Sequence, residues 1–185
     1  MNIRQCDAYA GIGARITPPG VCVEMTNLAE CLAVCGWTLR SGGAAGADTA
    51  FELGAGRRKE IFLPFQGFNE NESELFTPPA KAYDLAAEYH PTFKQLKPKV
   101  KAFHARNMQQ IFGENLDCAV QFVVCWTPDG CEHDDERTEH TGGTGQAISA
   151  ASLNNIPVYN IAKPGRLKEV KEYCDCKMTQ YSDYV

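Results

Sequence analysis

The chain lacks any apolar run near the ~20 residues needed to span a bilayer, so no membrane partner is expected. It also lacks an excess of basic residues. Its 18 Lys and Arg stand against 23 Asp and Glu, a formal charge of −5, which removes any global attraction to a polyanion. The first residues, Met1-Asn2-Ile3-Arg4-Gln5-Cys6, carry no apolar core of the signal-peptide type, and a cytoplasmic location is expected. Cys174-Asp175-Cys176 and Cys131-Glu132-His133 lack the two-residue spacing of zinc hairpins, so no metal and no cofactor is assigned. What is abundant is cysteine itself, nine in 185 residues. Cys6, Cys118 and Cys125 fall in strand-like runs, and Cys22, Cys31 and Cys35 along a helical stretch. Without a secretory signal they are expected to be buried thiols in a reducing compartment rather than a disulfide framework.

The length suits one domain with a full core. A short apolar strand over residues 6–12 precedes Val21, Met25, Leu28, Leu32 and Cys35, whose spacing predicts one face of an amphipathic helix. Strands follow over 37–41 and 60–65, with a small-residue helix over 47–55 between them. Residues 66–98 are polar and proline-punctuated, with helical pieces near 79–90; a connection of this kind reads as an inserted lid or a wall of a site. A helix over 100–112 leads to 118–126, apolar on both faces and so expected to be a central parallel strand. The stretch 127–140 reads as an acidic loop, mobile and solvated from Asp129 to Glu139, followed by a helix to about 153 and a strand over 156–161. Strands alternating with helices predict an α/β, Rossmann-like, largely parallel sheet over 1–165, with a charged helix and tail over 166–185.

Three glycine turns each follow a strand. The sharpest is Thr141-Gly142-Gly143-Thr144-Gly145-Gln146, at the start of a helix. Missing Cβ atoms let a backbone approach a ligand closely, and a helix amino terminus offers N–H groups to a phosphate. Ser41-Gly42-Gly43-Ala44-Ala45-Gly46-Ala47-Asp48 repeats the design, and Gly11-Ile12-Gly13-Ala14-Arg15 is a shorter version. No Gly-Lys-Ser/Thr follows the turn at 142–145, so it is not a Walker loop. In a parallel sheet such turns converge beyond the carboxyl ends of the strands. They predict a composite site for a nucleotide or nucleotide-derived ligand.

Asp48 and Glu52 share one helical face and are the candidate carboxylates for chemistry at a glycosidic bond. Arg106 offers a bidentate fork to a phosphate, and Asn107 a reader of base or sugar. Trp126, followed by Thr127, closes the central strand and is placed to stack a base. Lys94, Lys97, Lys99 and Lys101 form the one candidate basic run for a nucleic acid and read as a solvated face.

Taken in order, Ser41-Gly42-Gly43-Ala44, Asp48, Arg106-Asn107, the apolar strand and Gly142-Gly143-Thr144-Gly145 resemble the SLOG superfamily. That group includes the DNA-processing protein A family, YspA-like proteins and the "lonely guy" phosphoribohydrolases. The resemblance implies a Rossmann-like fold that binds nucleotides or their derivatives, as a homodimer or higher homo-oligomer. The phosphoribohydrolases carry Pro-Gly-Gly-x-Gly-Thr-x-x-Glu with a catalytic Glu. Here that register puts Thr141 for Pro, Gln146 for Thr and Ser149 for Glu. The functions left open are a ligand sensor or sequestering protein, an N-glycosidic hydrolase using Asp48 or Glu52, and a single-stranded DNA binder.

Overall fold

The alternation read from the sequence is realised in thirteen regular elements. In a computed structural model that describes residues 4–182, with side chains to Cys174, these are β1 (Arg4–Gln5), β2 (Ala8–Gly13), α1 (Pro19–Val34), β3 (Thr38–Ser41), α2 (Ala47–Ala55), β4 (Lys59–Ile61), α3 (Ala80–Glu88), α4 (Pro98–Phe112), β5 (Cys118–Ala119), β6 (Phe122–Trp126), α5 (Thr144–Ser152), β7 (Val158–Asn160) and α6 (Arg166–Ser182). Five strands form a parallel sheet in the order β4-β3-β2-β6-β7. The chain moves outward from β2 in one direction through β3 and β4, then in the other through β6 and β7. That reversal, between β2 and β6, is a topological switch point, where the crossovers leave a crevice at the carboxyl ends of the strands.

Both faces of the sheet are covered, as the continuous apolar reading of the central strands requires. On one face Ala8, Ala10 and Ile12 of β2 meet Met108, Ile111 and Phe112 of α4 and Ala147, Ile148 and Ala151 of α5. On the other, Tyr9 and Phe122 meet Met25, Leu28 and Leu32 of α1, Phe51 of α2 and Val170 of α6. Fully burying each of these larger side chains contributes roughly 1.5–3 kcal/mol. Helix α1 starts with Pro19 in its first turn and ends before Gly36, whose φ is +89°. Helix α2 packs so closely on α1 that a Cβ at Gly54 would overlap the Thr26 carbonyl oxygen, while the Thr26 hydroxyl donates to Ala50 O at 3.0 Å.

Four expectations need correction. The run 118–126 is not one strand: β5 pairs with β1 in a separate two-stranded ladder, and β6 lies between β2 and β7. At the step, Val120 N–H donates to Ile111 O and Gln121 N–H to Ala8 O, which turns the chain from one ladder to the other. Cys6 and Cys118 are not separate thiols but a disulfide, 112 residues apart in sequence, that ties the end of β1 to its ladder partner β5. Strand β4 stops at Ile61, short of Phe65.

The stretch 127–140 is not solvated throughout: 133–136 and 138–140 are exposed, but 130–132 are buried. Glu132 is 1% exposed and accepts from Arg166 Nε and Nη2, both at 2.8 Å, from Lys163 Nζ at 3.0 Å and from Asn160 N–H at 2.9 Å. Burial alone would raise this carboxyl, but the Arg166, Asn160 and Lys163 hydrogen bonds hold it below the usual range. The clasp fastens the loop and the start of α6 to β7. Residues 66–98 carry α3, which packs Ala82 and Ala86 into the core beside α4. No described helix is long and apolar enough to cross a membrane.

Candidate functional site

At the switch point the carboxyl end of β2, the amino ends of α2 and α5, and one side of α4 enclose a cleft of about 430 Å³. This lies within the roughly 300–1,000 Å³ typical of small-molecule sites. Each wall comes from a different chain segment. Gly13, Ala14 and Arg15 leave β2; Ala44 and Asp48 come from the turn before α2 and its first turn; Gly142, Gly143 and Thr144 lead into α5. Helix α4 contributes Phe103, Arg106, Asn107 and Gln110, spaced three, one and three apart and therefore on one side of the helix.

Arg106 is the centre of the cleft's electrostatics. It is 5% exposed, and its Nη1 lies 3.4 Å from Asp48 Oδ2. Its Nε is buried without a hydrogen-bond partner among the described residues. Asp48 Oδ2 also accepts the Ala44 N–H at 3.3 Å. Burial raises the Asp48 carboxyl, opposed by the Arg106 guanidinium and that N–H. The same burial lowers Arg106, opposed by Asp48. Arginine nevertheless stays charged in proteins, so the cleft holds a buried cation.

A buried polar chain links the two longer glycine turns through α4. The Gln110 amide, oriented with its oxygen toward the donors, accepts from Arg106 Nη1 at 2.8 Å and Gly42 N–H at 2.9 Å, and donates to Asn107 Oδ1 at 3.2 Å. Asn107 Nδ2 in turn donates to Gly143 O and Gln146 Oε1, each at 3.3 Å. Gln146 is completely buried, with Oε1 2.8 Å from His104 Nδ1 and Nε2 donating to Ala86 O at 2.9 Å. Burial holds His104 below its ordinary value despite the Gln146 hydrogen bond, so the ring is neutral at neutral pH. The first turns of α2 and α5 have no side-chain cap at Gly46 or Gly143. Both helix amino ends thus stand beside the buried Arg106 guanidinium.

Not every residue singled out from the sequence reaches this cleft. Gly13, Ala14, Arg15, Ala44, Asp48, Arg106, Asn107, Gly142, Gly143 and Thr144 line it together. Gly11 is packed inside, where a Cβ would sit 2.6 Å from Leu39 and Phe51 atoms. The buried Ser41 hydroxyl donates to Gly11 O at 2.6 Å, tying two strands. Gly42 lies against Arg106, and Gly43 against Leu63. Gly145 is covered by Arg137 and Thr141, and Gln146 supports His104 and Asn107 from beneath. Thr127 is buried, donating to Asp129 Oδ1 at 2.7 Å, and the half-buried Trp126 side chain packs on the α1 and α2 face. Glu52 faces a separate depression, paired with Lys59 Nζ at 2.9 Å and accepting from Asn71 Nδ2 at 2.9 Å.

No family model matches the chain, and no curated protein does. Among solved structures it is similar to DNA processing protein A from Helicobacter pylori, a protein with a single-stranded DNA binding mode. The likeness has 14% sequence identity and a TM-score of 0.41, over 94% of this chain and 80% of that one.

The structure adds residues that the sequence did not single out. Phe103 lies on the cleft wall one turn before Arg106, with the Arg15 guanidinium 5.9 Å from its ring centre. A cation over a ring face is attracted by the ring's quadrupole, which holds Arg15 at the cleft wall. Gln110 and His140 also line the cleft. The signal for Phe103 was its place at i−3 from Arg106, on the same helical face. No residue of 66–98 lines the cleft.

Proposed function

We propose that the protein binds a phosphate-bearing nucleotide or nucleotide derivative in this cleft. The phosphate sits against Gly142, Gly143 and the amino end of α5, facing Arg106. The base lies on Phe103, and Arg15 closes the outer rim. The observation that carries this reading is Arg106: a buried cation with an unpartnered Nε in a cleft where two helix amino ends lack side-chain caps. The motif order that resembles the SLOG superfamily agrees with it.

Binding without cleavage is favoured by the residue at the phosphoribohydrolase Glu position. Ser149 is buried, accepts from Arg137 Nη1 at 3.0 Å and donates to Gly145 O at 3.0 Å, with no carboxylate in its place. One observation favours N-glycosidic hydrolysis as a second reading: Asp48 lines the cleft, and burial raises its carboxyl toward the range of a general acid.

A thermal-shift series with nucleotides, ribose phosphates and ADP-ribose species tests both readings. A ligand at 100 times Kd adds about 2.7 kcal/mol of stability, a rise of several degrees. Recovery of the ligand intact supports a sensor or sequestering protein. Recovery as free base and sugar phosphate, abolished by Asp48→Asn, supports the hydrolase. A shift by single-stranded DNA alone, steeply weakened by salt, would replace the nucleotide reading.

A further inference from the structure

Away from the cleft, three cysteines from two helices meet at the opposite end of the sheet. Helix α1 runs back from the carboxyl end of β2 to the start of β3, so Cys31 and Cys35 lie near the amino ends of the strands. They are four apart in sequence and share a helical face. Cys174 of α6 arrives from the far end of the chain. The ligand atoms of the three lie within 4.8 Å of one another, the one such group among the described residues. Cys35 Sγ donates to Cys174 O at 3.2 Å, which fixes α6 against the end of α1.

We propose that Cys31, Cys35 and Cys174 are a binding site for one thiophilic cation, zinc(II), that fastens α6 to α1. The spacing suits the ion. With a Zn–S bond of about 2.3 Å, tetrahedral geometry needs sulfurs about 3.8 Å apart, so the thiols close on the metal by side-chain adjustment alone. The donor set suits it as well, because thiolates select soft ions over magnesium or calcium. Cys35 and Cys174 are buried at 5% and 2% exposure, whereas Cys31 is half-buried and leaves a way in from solvent. A water completes the fourth position from that side. Loading is balanced as zinc(II), three thiols and one water giving a tris-thiolate aquo-zinc centre of charge −1 and three released protons, with no change of oxidation state. The site is independent of the cleft and of what binds there.

The test uses the full chain, reduced and treated with a chelator, then titrated with cobalt(II) as a spectroscopic stand-in. We expect thiolate-to-cobalt charge-transfer absorption saturating at one equivalent and displaced by one equivalent of zinc(II). Cys35→Ser and Cys174→Ser abolish that absorption, while Cys22→Ser, on the same helix but outside the cluster, retains it. Absence of the band, or its survival in Cys174→Ser, overturns the proposal. Should the serine variants fail to fold, alkylation of the wild type followed by peptide mapping decides the matter. Zinc must protect Cys31, Cys35 and Cys174 together; equal labelling with and without zinc overturns the site. So does an intramolecular disulfide within the trio that forms in air and excludes the metal.

Discussion

The two longer glycine turns look alike in sequence and do different work in the fold. At Gly42 a Cβ would overlap the Arg106 guanidinium, so the missing side chain makes room for another part of the same protein. At Gly142 and Gly143 a Cβ would meet nothing within 4 Å, so the missing side chains leave space open to the cleft. The first turn is closed by its own arginine and the second stands open. A glycine-rich turn after a strand therefore signals close approach of something to the backbone, without saying whether that partner is internal. Helix α4 decides it here. It sends Arg106 and Gln110 toward the first turn, and Asn107 and His104 toward Gly143 and Gln146 of the second.

The sharpest way to break this contrast is Gly42→Ala. Arg106 would have to leave Asp48, and separating a buried pair typically costs about 3–5 kcal/mol. In a chain of this length that lowers the melting temperature by about 6–20 °C, read by circular dichroism. A melting point unchanged from wild type would mean that the first turn is open as well.

Next in size is the pair itself. Arg106→Met strands the Asp48 carboxylate and costs about 3–5 kcal/mol, much of it regained when Asp48→Asn is added, because the uncompensated charge is then gone. Nucleotide affinity does not return with stability in the double variant. A charge-assisted hydrogen bond of about 1.5–3 kcal/mol is lost, a weakening of roughly 10- to 150-fold by titration calorimetry. Recovery of both together would remove Arg106 from the binding role.

The second turn has its own anchor, and it responds to acid. Asp129 accepts hydroxyl hydrogen bonds from Thr127, Thr138 and Thr141, the last at the edge of the Gly142 turn. Burial would raise this carboxyl, but those hydroxyls and the Cys131 N–H hold it far below the usual range. A depressed pKa stabilises fully above the unfolded value of about 3.9 and is lost as pH falls from there through the folded value. The contribution of Asp129, read as the difference in denaturant midpoint between wild type and Asp129→Asn, should thus be flat between about pH 7 and 5 and shrink below about 4. Asp129→Asn should start lower and show a shallower acid limb. An identical limb in both proteins would detach Asp129 from the stability of this turn.

How far the sequence reveals all this depends on the range of the interaction. The apolar spacing of Met25, Leu28 and Leu32 is a local signal, and α1 forms where it indicates. The run 118–126 is equally apolar in both halves, so hydropathy carries no trace of the step from the β1 ladder to the main sheet. The acidic loop looked solvated because the Glu132 partners, Lys163 and Arg166, lie 31 and 34 residues further on. Phe103 carries no motif of its own, and only its place on the Arg106 face of α4 marks it. Trp126 drew attention as the aromatic at a strand end, yet its side chain turns to the α1 and α2 face. Arg106 and Asn107 were visible as a pair. That they serve different turns is a tertiary fact.

The smallest expected effect on stability is the most informative about function. Gly143 has φ −66° and ψ −21°, a conformation open to any residue, and its Cβ position is empty. Gly143→Ala adds a methyl group at the cap of α5, where alanine is a poorer cap than glycine by some tenths of a kcal/mol. The fold should therefore lose less than about 1 kcal/mol. The same methyl stands on the surface that a phosphate must approach, and a ligand held off the helix amino end loses both N–H contacts and the dipole. We expect nucleotide affinity to fall tenfold or more while the melting temperature of the unliganded protein moves by no more than a few degrees. Equal affinity in the two proteins would show that the open turn is not where the phosphate sits, and would shift attention to the first turn and Arg15.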